Sequence, residues 1–421
     1  MKNILFLLFV GIGSVAMSQQ IPAPKQTETI TIIGATAHIG NGKVIPNSIV
    51  VFKNGTLTTV QSNSGVNKHL GKVIRAKGKH IYPAFIAPNT TLGLAEIDAV
   101  KATLDVTEIG TFNPHIRSIV AYNPESKVTE TVRSNGVLIG QITPRGGYIS
   151  GTSSVVQFDA WNYEDAILRE DDGIHLNWPK SFNRSGWWAQ PGSISENKKY
   201  DKQIQTIVSF FDNTKENTDT PNLKFEALKG LFNGSKTLYI HVNGEKEIID
   251  AITFKNQFSI LNLVLVGAFD AYKVTDLLKK NAIAVILKRT HSLPTAEDQD
   301  IKLPFKLAKL LDDAGILVAF DPAGGMERMN TRNLPFYAGT AVAYGLDYEK
   351  AITMLTLNPA KILGIDTQIG SLEVGKDATL FISSGDALDM RTNNVENAFI
   401  NGREINLDTH QKQLYRKFST K

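Results

Sequence analysis

The chain has 421 residues, 42% of them hydrophobic and 20% charged, which fits one large domain with a smaller companion and excludes a globally disordered chain. Its 45 basic residues stand against 41 acidic ones, a formal charge of +4. No basic block tracks a phosphate backbone, so nucleic acid is not an expected partner, and a chain without cysteine has no disulfides, thiolate metal ligands or thiol nucleophiles.

The first residues, MKNILFLLFVGIGSVAMSQQ, place Lys2 ahead of an apolar run from Ile4 to about Ala16, followed by small residues up to Ser18. That is the layout of a cleavable secretory signal, residues 1–18, and predicts a secreted or periplasmic mature chain. The run is shorter than the ~20 apolar residues of a spanning helix, and no later stretch is long enough, so no membrane span is expected in the mature chain. A cysteine-free exported chain suits a bacterial periplasm.

From residue 27 to about 61, short β-rich runs alternate with the turns Asn41-Gly42 and Asn54-Gly55. The C-terminal end has the same character, with DATLFIS, VENAFI, the turn Asn401-Gly402 and REINL. Two such ends around a different middle predict one small β-sandwich built from residues 19–80 and 365–421, the latter including a C-terminal tail.

In the middle, amphipathic stretches ending in Gly or Asn lead into continuous apolar runs. VTETVRSNG precedes VLIGQIT, EIIDAITFKNQ precedes LNLVLVG, AYKVTDLLKKN precedes AIAVIL, and PFKLAKLLDDAG precedes ILVAF. Apolar runs of this kind read as strands buried on both faces of a parallel sheet. Their repetition over residues 81–364 predicts an α/β fold, a distorted (β/α)8 barrel with chemistry at the C-terminal strand ends. Residues 162–223 break the alternation and hold or adjoin Trp161, Trp178, Trp187 and Trp188. They read as a helical or loop insertion over the barrel mouth, its tryptophans packing the insertion or covering a ligand.

Several segments carry a family resemblance: ATAHIGNGKVIPNSIVVFKNGTLTTV, GKHIYPAFI, NLPFYAGTAVAYGLDYEKAITMLTLNPAKILGI and IGSLEVGKDATLFISSGDAL. They resemble the amidohydrolase superfamily, its imidazolonepropionase-like branch in particular. The resemblance implies a metal-dependent-hydrolase barrel acting on carbon–nitrogen bonds of non-peptide or cyclic amide substrates. It also implies one or two divalent metals, usually zinc, on a His-x-His pair after strand one, often a carboxylated lysine after strand four, histidines after strands five and six, and an aspartate after strand eight. Such ligands leave a position open for water, whose pKa the metal lowers.

The sequence departs from that pattern. Ala87, Pro88, Asn89, Thr90 and Thr91 stand where Asp-x-His-x-His is expected, and Gly267 and Ala268 where the strand-six histidine would be. His241 keeps the strand-five position, whereas Asp321 falls about two places early, before Pro322 and Ala323. Neither Lys224 nor Lys236 has a clear strand-four context. By resemblance His241 and Asp321 are the residual catalytic and metal-ligating groups, so the expected cofactor is none or a single weakly held divalent metal, zinc by family. Asn89 is a candidate for substrate binding. So is Arg145, in the turn ITPRGGYISG, whose alternative is a tight turn with the arginine in solvent. Arg332, just after strand eight, is a third candidate, against a salt-bridged loop. The remaining histidines, His38, His69, His80, His115, His175, His291 and His410, lack ligand spacing and read as surface or packing residues. Two functions are therefore expected as alternatives: a hydrolase with impaired or altered metal-dependent catalysis, or a non-catalytic paralogue that binds a small molecule. The partners expected are that small molecule and, as an assembly, a homo-oligomer or a hetero-oligomer with an active amidohydrolase.

Overall fold

The computed structural model describes residues 21–419 apart from 67, 188, 217–221 and 297. The expected signal segment lies outside the described residues. Eight strands form the central sheet: β1 (Phe85–Thr90), β2 (Val137–Ile142), β3 (Ile149–Gln157), β4 (Ile167–Asn177), β5 (Thr237–Val242), β6 (Leu263–Gly267), β7 (Ala284–Leu287) and β8 (Val318–Phe320). They lie side by side in chain order and curl into a nearly closed barrel, with β8 and β1 at the seam. The expected (β/α)8-type architecture is therefore present, with one strand reversed. β1 and β2 are parallel, as are β4 through β8, but β3 runs antiparallel to both neighbours. The cause is local. Residues 143–148 link β2 to β3 without a crossover helix, and so short a link permits only antiparallel pairing.

The apolar runs behave as buried strands, for every residue of β1, β2, β7 and β8 is buried. The helices before them pack one face inward. Glu245–Phe258 buries Ile248, Ala251, Ile252, Phe254 and Phe258 at helical spacing. Leu303–Asp313 buries Leu303, Leu307, Ala308 and Leu311, with a proline in its first turn, where a missing N–H costs nothing.

The insertion expected over residues 162–223 is in part barrel. Its stretch ILREDDGIHLN is β4, registered against β5 from Gly173↔Thr237 to Asn177↔His241. The polar sequence masked this strand because its interior groups are satisfied by neighbouring strands rather than by water. The remainder holds a two-stranded hairpin, Phe182–Trp187 with Gln190–Glu196, and the helices Tyr200–Glu216 and Leu223–Asn233. Of the tryptophans, Trp178 is buried and packs edge-on against Phe254, while Trp161 and Trp187 are exposed; Trp188 lies outside the described residues.

Both chain ends build the small sandwich. One sheet pairs Ile30–Ile33, Ser48–Lys53, Thr56–Ser62 and Lys72–Arg75. In the other, the N-terminal strands Thr36–His38 and His80–Pro83 pair on through Leu380–Ser383 to Val395–Ile400. Ile32, Val50, Phe52, Ile81, Leu380 and Phe399 form their common core.

Candidate functional site

The C-terminal ends of the parallel strands converge on two buried polar clusters. At the seam, Asn89 on β1 faces Asp321, the first residue after β8, and its Nδ2 donates to both carboxylate oxygens at 3.2 and 3.1 Å. Asn89 reaches this position through a left-handed backbone, φ 51°, which asparagine tolerates better than most residues. Its N–H donates to Gln141 Oε1 and its carbonyl accepts from Arg145 Nη2 at 2.8 Å. The Oδ1 atom is buried and has no hydrogen-bond partner among the described residues. Burial pushes the Asp321 carboxyl up to about 7, although the Ala323 N–H, Arg145 and Asn89 all favour its ionised form.

The second cluster runs across the barrel interior. His241 Nε2 meets His175 Nδ1 at 2.9 Å, and His175 Nε2 meets Ser153 Oγ at 2.9 Å. Ser153 donates to Asp172 Oδ1 at 2.8 Å, and Asp172 Oδ2 accepts from Gln141 Nε2 and the Tyr239 hydroxyl, each at 2.8 Å. The proton directions follow by elimination. With Asp172 ionised, Ser153 gives its one proton to that carboxylate, and His175 Nε2 then carries the hydrogen that Ser153 accepts. His175 Nδ1 is then a bare acceptor, and His241 donates from Nε2, keeping its lone pair on Nδ1. Burial drives both imidazoles toward the neutral form. His241 is lowered to about 3 by burial and then Arg145, and His175 is lowered by burial, then His241 and Arg145. Burial also raises Asp172 and, together with Asp172, the Tyr239 phenol.

Above the seam, Glu327 accepts from the Thr90 hydroxyl, the Thr91 hydroxyl and the Thr91 N–H. Arg145 lies 3.6 Å from Glu327 and donates to the carbonyls of Thr143 and Pro144 as well as Asn89. The Arg145 guanidinium thus braces the strand ends. Arg332 is exposed, and its carbonyl accepts from Asn135 Nδ2, just ahead of β2. Of the residues singled out in the sequence, Asn89, Asp321 and Arg145 come together, His241 belongs to the second cluster, and Arg332 joins neither. His175, which reads from the sequence as a surface or packing residue, is buried, stacks on Tyr239 and also bonds His241 inside the barrel. Ser153, Asp172, Gln141 and Tyr239 were also missed, since only strand register reveals that they share one interior.

The donor set does not fit a resident zinc. A catalytic zinc takes about three protein ligands with imidazole or carboxylate character. Here the free donors are one imidazole nitrogen of His241 and a carboxylate already bonded to Asn89 and Ala323, and among the described residues no group of three or more His, Asp or Glu side chains could hold a metal.

Residues 240–405 match the model of the amidohydrolase family. With 23% identity, the chain superposes on an amidohydrolase from Thermotoga maritima at a TM-score of 0.76, covering 90% of this chain and 99% of that one. The C-terminal part of the chain thus resembles the amidohydrolase family. A second solved structure, an adenosine deaminase from Xanthomonas campestris with bound zinc, aligns at a TM-score of 0.55 and 14% identity, over 94% of this chain and 98% of that one. A 5'-deoxyadenosine deaminase from Methanobrevibacter smithii is 22% identical over 374 residues, 81% of this chain and 80% of its own length. These likenesses concern the fold, a barrel in which His241 lies near the end of β5 and Asp321 directly follows β8.

Proposed function

We propose that this chain is an amidohydrolase-fold protein in which metal-assisted hydrolysis of carbon–nitrogen bonds is impaired, the barrel mouth serving to bind a small polar molecule. The observation that carries this reading is the internal saturation of the mouth. His241 donates into the His175–Ser153–Asp172 chain, and Asp321 is held by Asn89, leaving too few donors for a catalytic metal among the described residues. The unpartnered Asn89 Oδ1 supports binding, because a buried acceptor is matched by a ligand N–H or O–H.

One observation favours residual chemistry as a second reading. A carboxyl pushed up to about 7 can exchange a proton near neutrality, as a general acid or base must. On that reading Asp321 acts alone, and turnover follows a single ionisation near pH 7.

The test combines metal analysis of the purified full chain with screens for amidase, dipeptidase and nucleoside deaminase activity. Less than a tenth of an equivalent of metal and no metal-stimulated turnover are expected. Stoichiometric metal together with turnover that His241→Ala abolishes would overturn the proposal.

A further inference from the structure

A cavity of about 330 Å³ lies between the hairpin Phe182–Trp187/Gln190–Glu196 and the ends of β4, β5 and β7. It is large enough for a small organic ligand. Its lining is electrically lopsided. Lys180, Arg184 and Lys288 face one carboxylate, Glu247, whose Oε1 already accepts from the N–H and hydroxyl of Ser181 at 2.8 and 2.7 Å. Lys288 directly follows β7 and is half-buried. The charged groups acting on it are the cations Arg289 and Lys180, and burial with that repulsion lowers its pKa. The Phe269 ring, 5.6 Å from the ammonium, offers only partial compensation. Like charges gathered round a half-buried ammonium are costly unless an anion joins them. The rest of the lining includes apolar Trp178, Phe182 and Ile194.

We infer that this cavity binds a small organic carboxylate, its anion on Lys288 flanked by Lys180 and Arg184 and its apolar body against Trp178 and Ile194. This rests on the reading of the barrel mouth as a ligand site and extends it to the cavity beside His241, which neither Asn89 nor Asp321 lines. A single half-buried ammonium matches a monoanion, and the apolar walls match a carbon skeleton rather than a free inorganic ion. His241 lines the same cavity, so an occupant of it also contacts the end of β5.

The test is calorimetric titration of the full chain in phosphate-free buffer with phenylacetate, its neutral analogue phenylacetamide, phenyl phosphate and inorganic phosphate. Phenylacetate should bind with millimolar affinity or better, and phenylacetamide at least tenfold more weakly. Lys288→Met should bring phenylacetate to the level of the amide with a melting temperature no lower than the parent's. Lys288→Gln and Arg184→Gln serve if the first variant fails to fold. No binding by any probe, equal binding of acid and amide, or an unaffected Lys288 variant would overturn the inference. Preferred binding of either phosphate would also overturn it, in favour of a phosphate site. Metal and turnover are measured on the same preparation. Carboxylate binding by a stoichiometrically metalated, active protein would sink only the impaired-hydrolase reading, whereas no binding by metal-free, inactive protein would sink only this inference.

Discussion

Asn89 and Asp321 form a buried hydrogen-bonded pair across the barrel seam, and the ionisation of Asp321 makes that pair sensitive to pH. A carboxyl raised to about 7 in the folded chain keeps its proton where the unfolded chain has lost it. Its contribution to stability is thus fully present near pH 4 and lost as pH rises through 7, on the order of 4 kcal/mol for a shift of roughly three units. His241 acts with the opposite sign. Lowered to about 3, it contributes stability that is present above pH 6.5 and lost as pH falls toward 3. The two overlap, so the parent profile alone does not separate them. The difference does: Asp321→Asn should gain stability relative to the parent between pH 4 and 7, measured by urea unfolding at each pH. A difference that stays flat across that window would contradict the assignment. At this scale the sequence is partly legible. Asn89, His241 and Asp321 lie at recognisable strand ends, whereas His175 sits inside ILREDDGIHLN, where no local spacing marks it. Its partner is 66 residues away, and only the pairing of β4 with β5 brings them together.

Among the elements, the helices and apolar strands of the second half are readable from periodicity, because there each strand is buried on both faces. The region from β2 to β4 is not. β3 is reversed by its short link, and β4 carries the polar side chains of Asp172 and His175 in the interior. Gly173 shows how tightly β4 is fitted to β5. A Cβ there would stand 2.3 Å from the Tyr239 ring and 2.4 Å from the Thr237 carbonyl. The glycine lets Tyr239 reach Asp172 while its ring stacks on His175, centroids 4.7 Å apart. Gly173→Ala should therefore cost about 1–3 kcal/mol by overpacking, read from the urea midpoint, and a change below about 0.5 kcal/mol, the level of an ordinary surface substitution, would argue against close β4–β5 packing.

For the whole molecule, turn-rich β segments at both ends announce a shared sandwich, and Leu380–Ser383 pairing with His80–Pro83 realises it. What composition does not announce is the ionic joint that fastens the ends to the barrel. Asp159, just beyond β3, is buried and pairs with Arg133 at 3.1 Å and with Arg403 of the C-terminal sandwich at 2.8 Å; it also accepts from the Ala23 N–H. Removing one member strands the others in a low-dielectric setting. Asp159→Ala should cost about 3–5 kcal/mol, whereas breaking an exposed pair such as Lys309–Asp313 should cost at most about 1 kcal/mol. Equal losses on urea unfolding would contradict the joint.

On the function proposed here, the barrel is kept and its mouth holds no catalytic metal. The most direct test is the zinc content of the full chain after incubation with excess zinc and desalting, compared with His241→Ala. Below a tenth of an equivalent in both proteins is the expected result. One equivalent in the parent that disappears in the variant would contradict it.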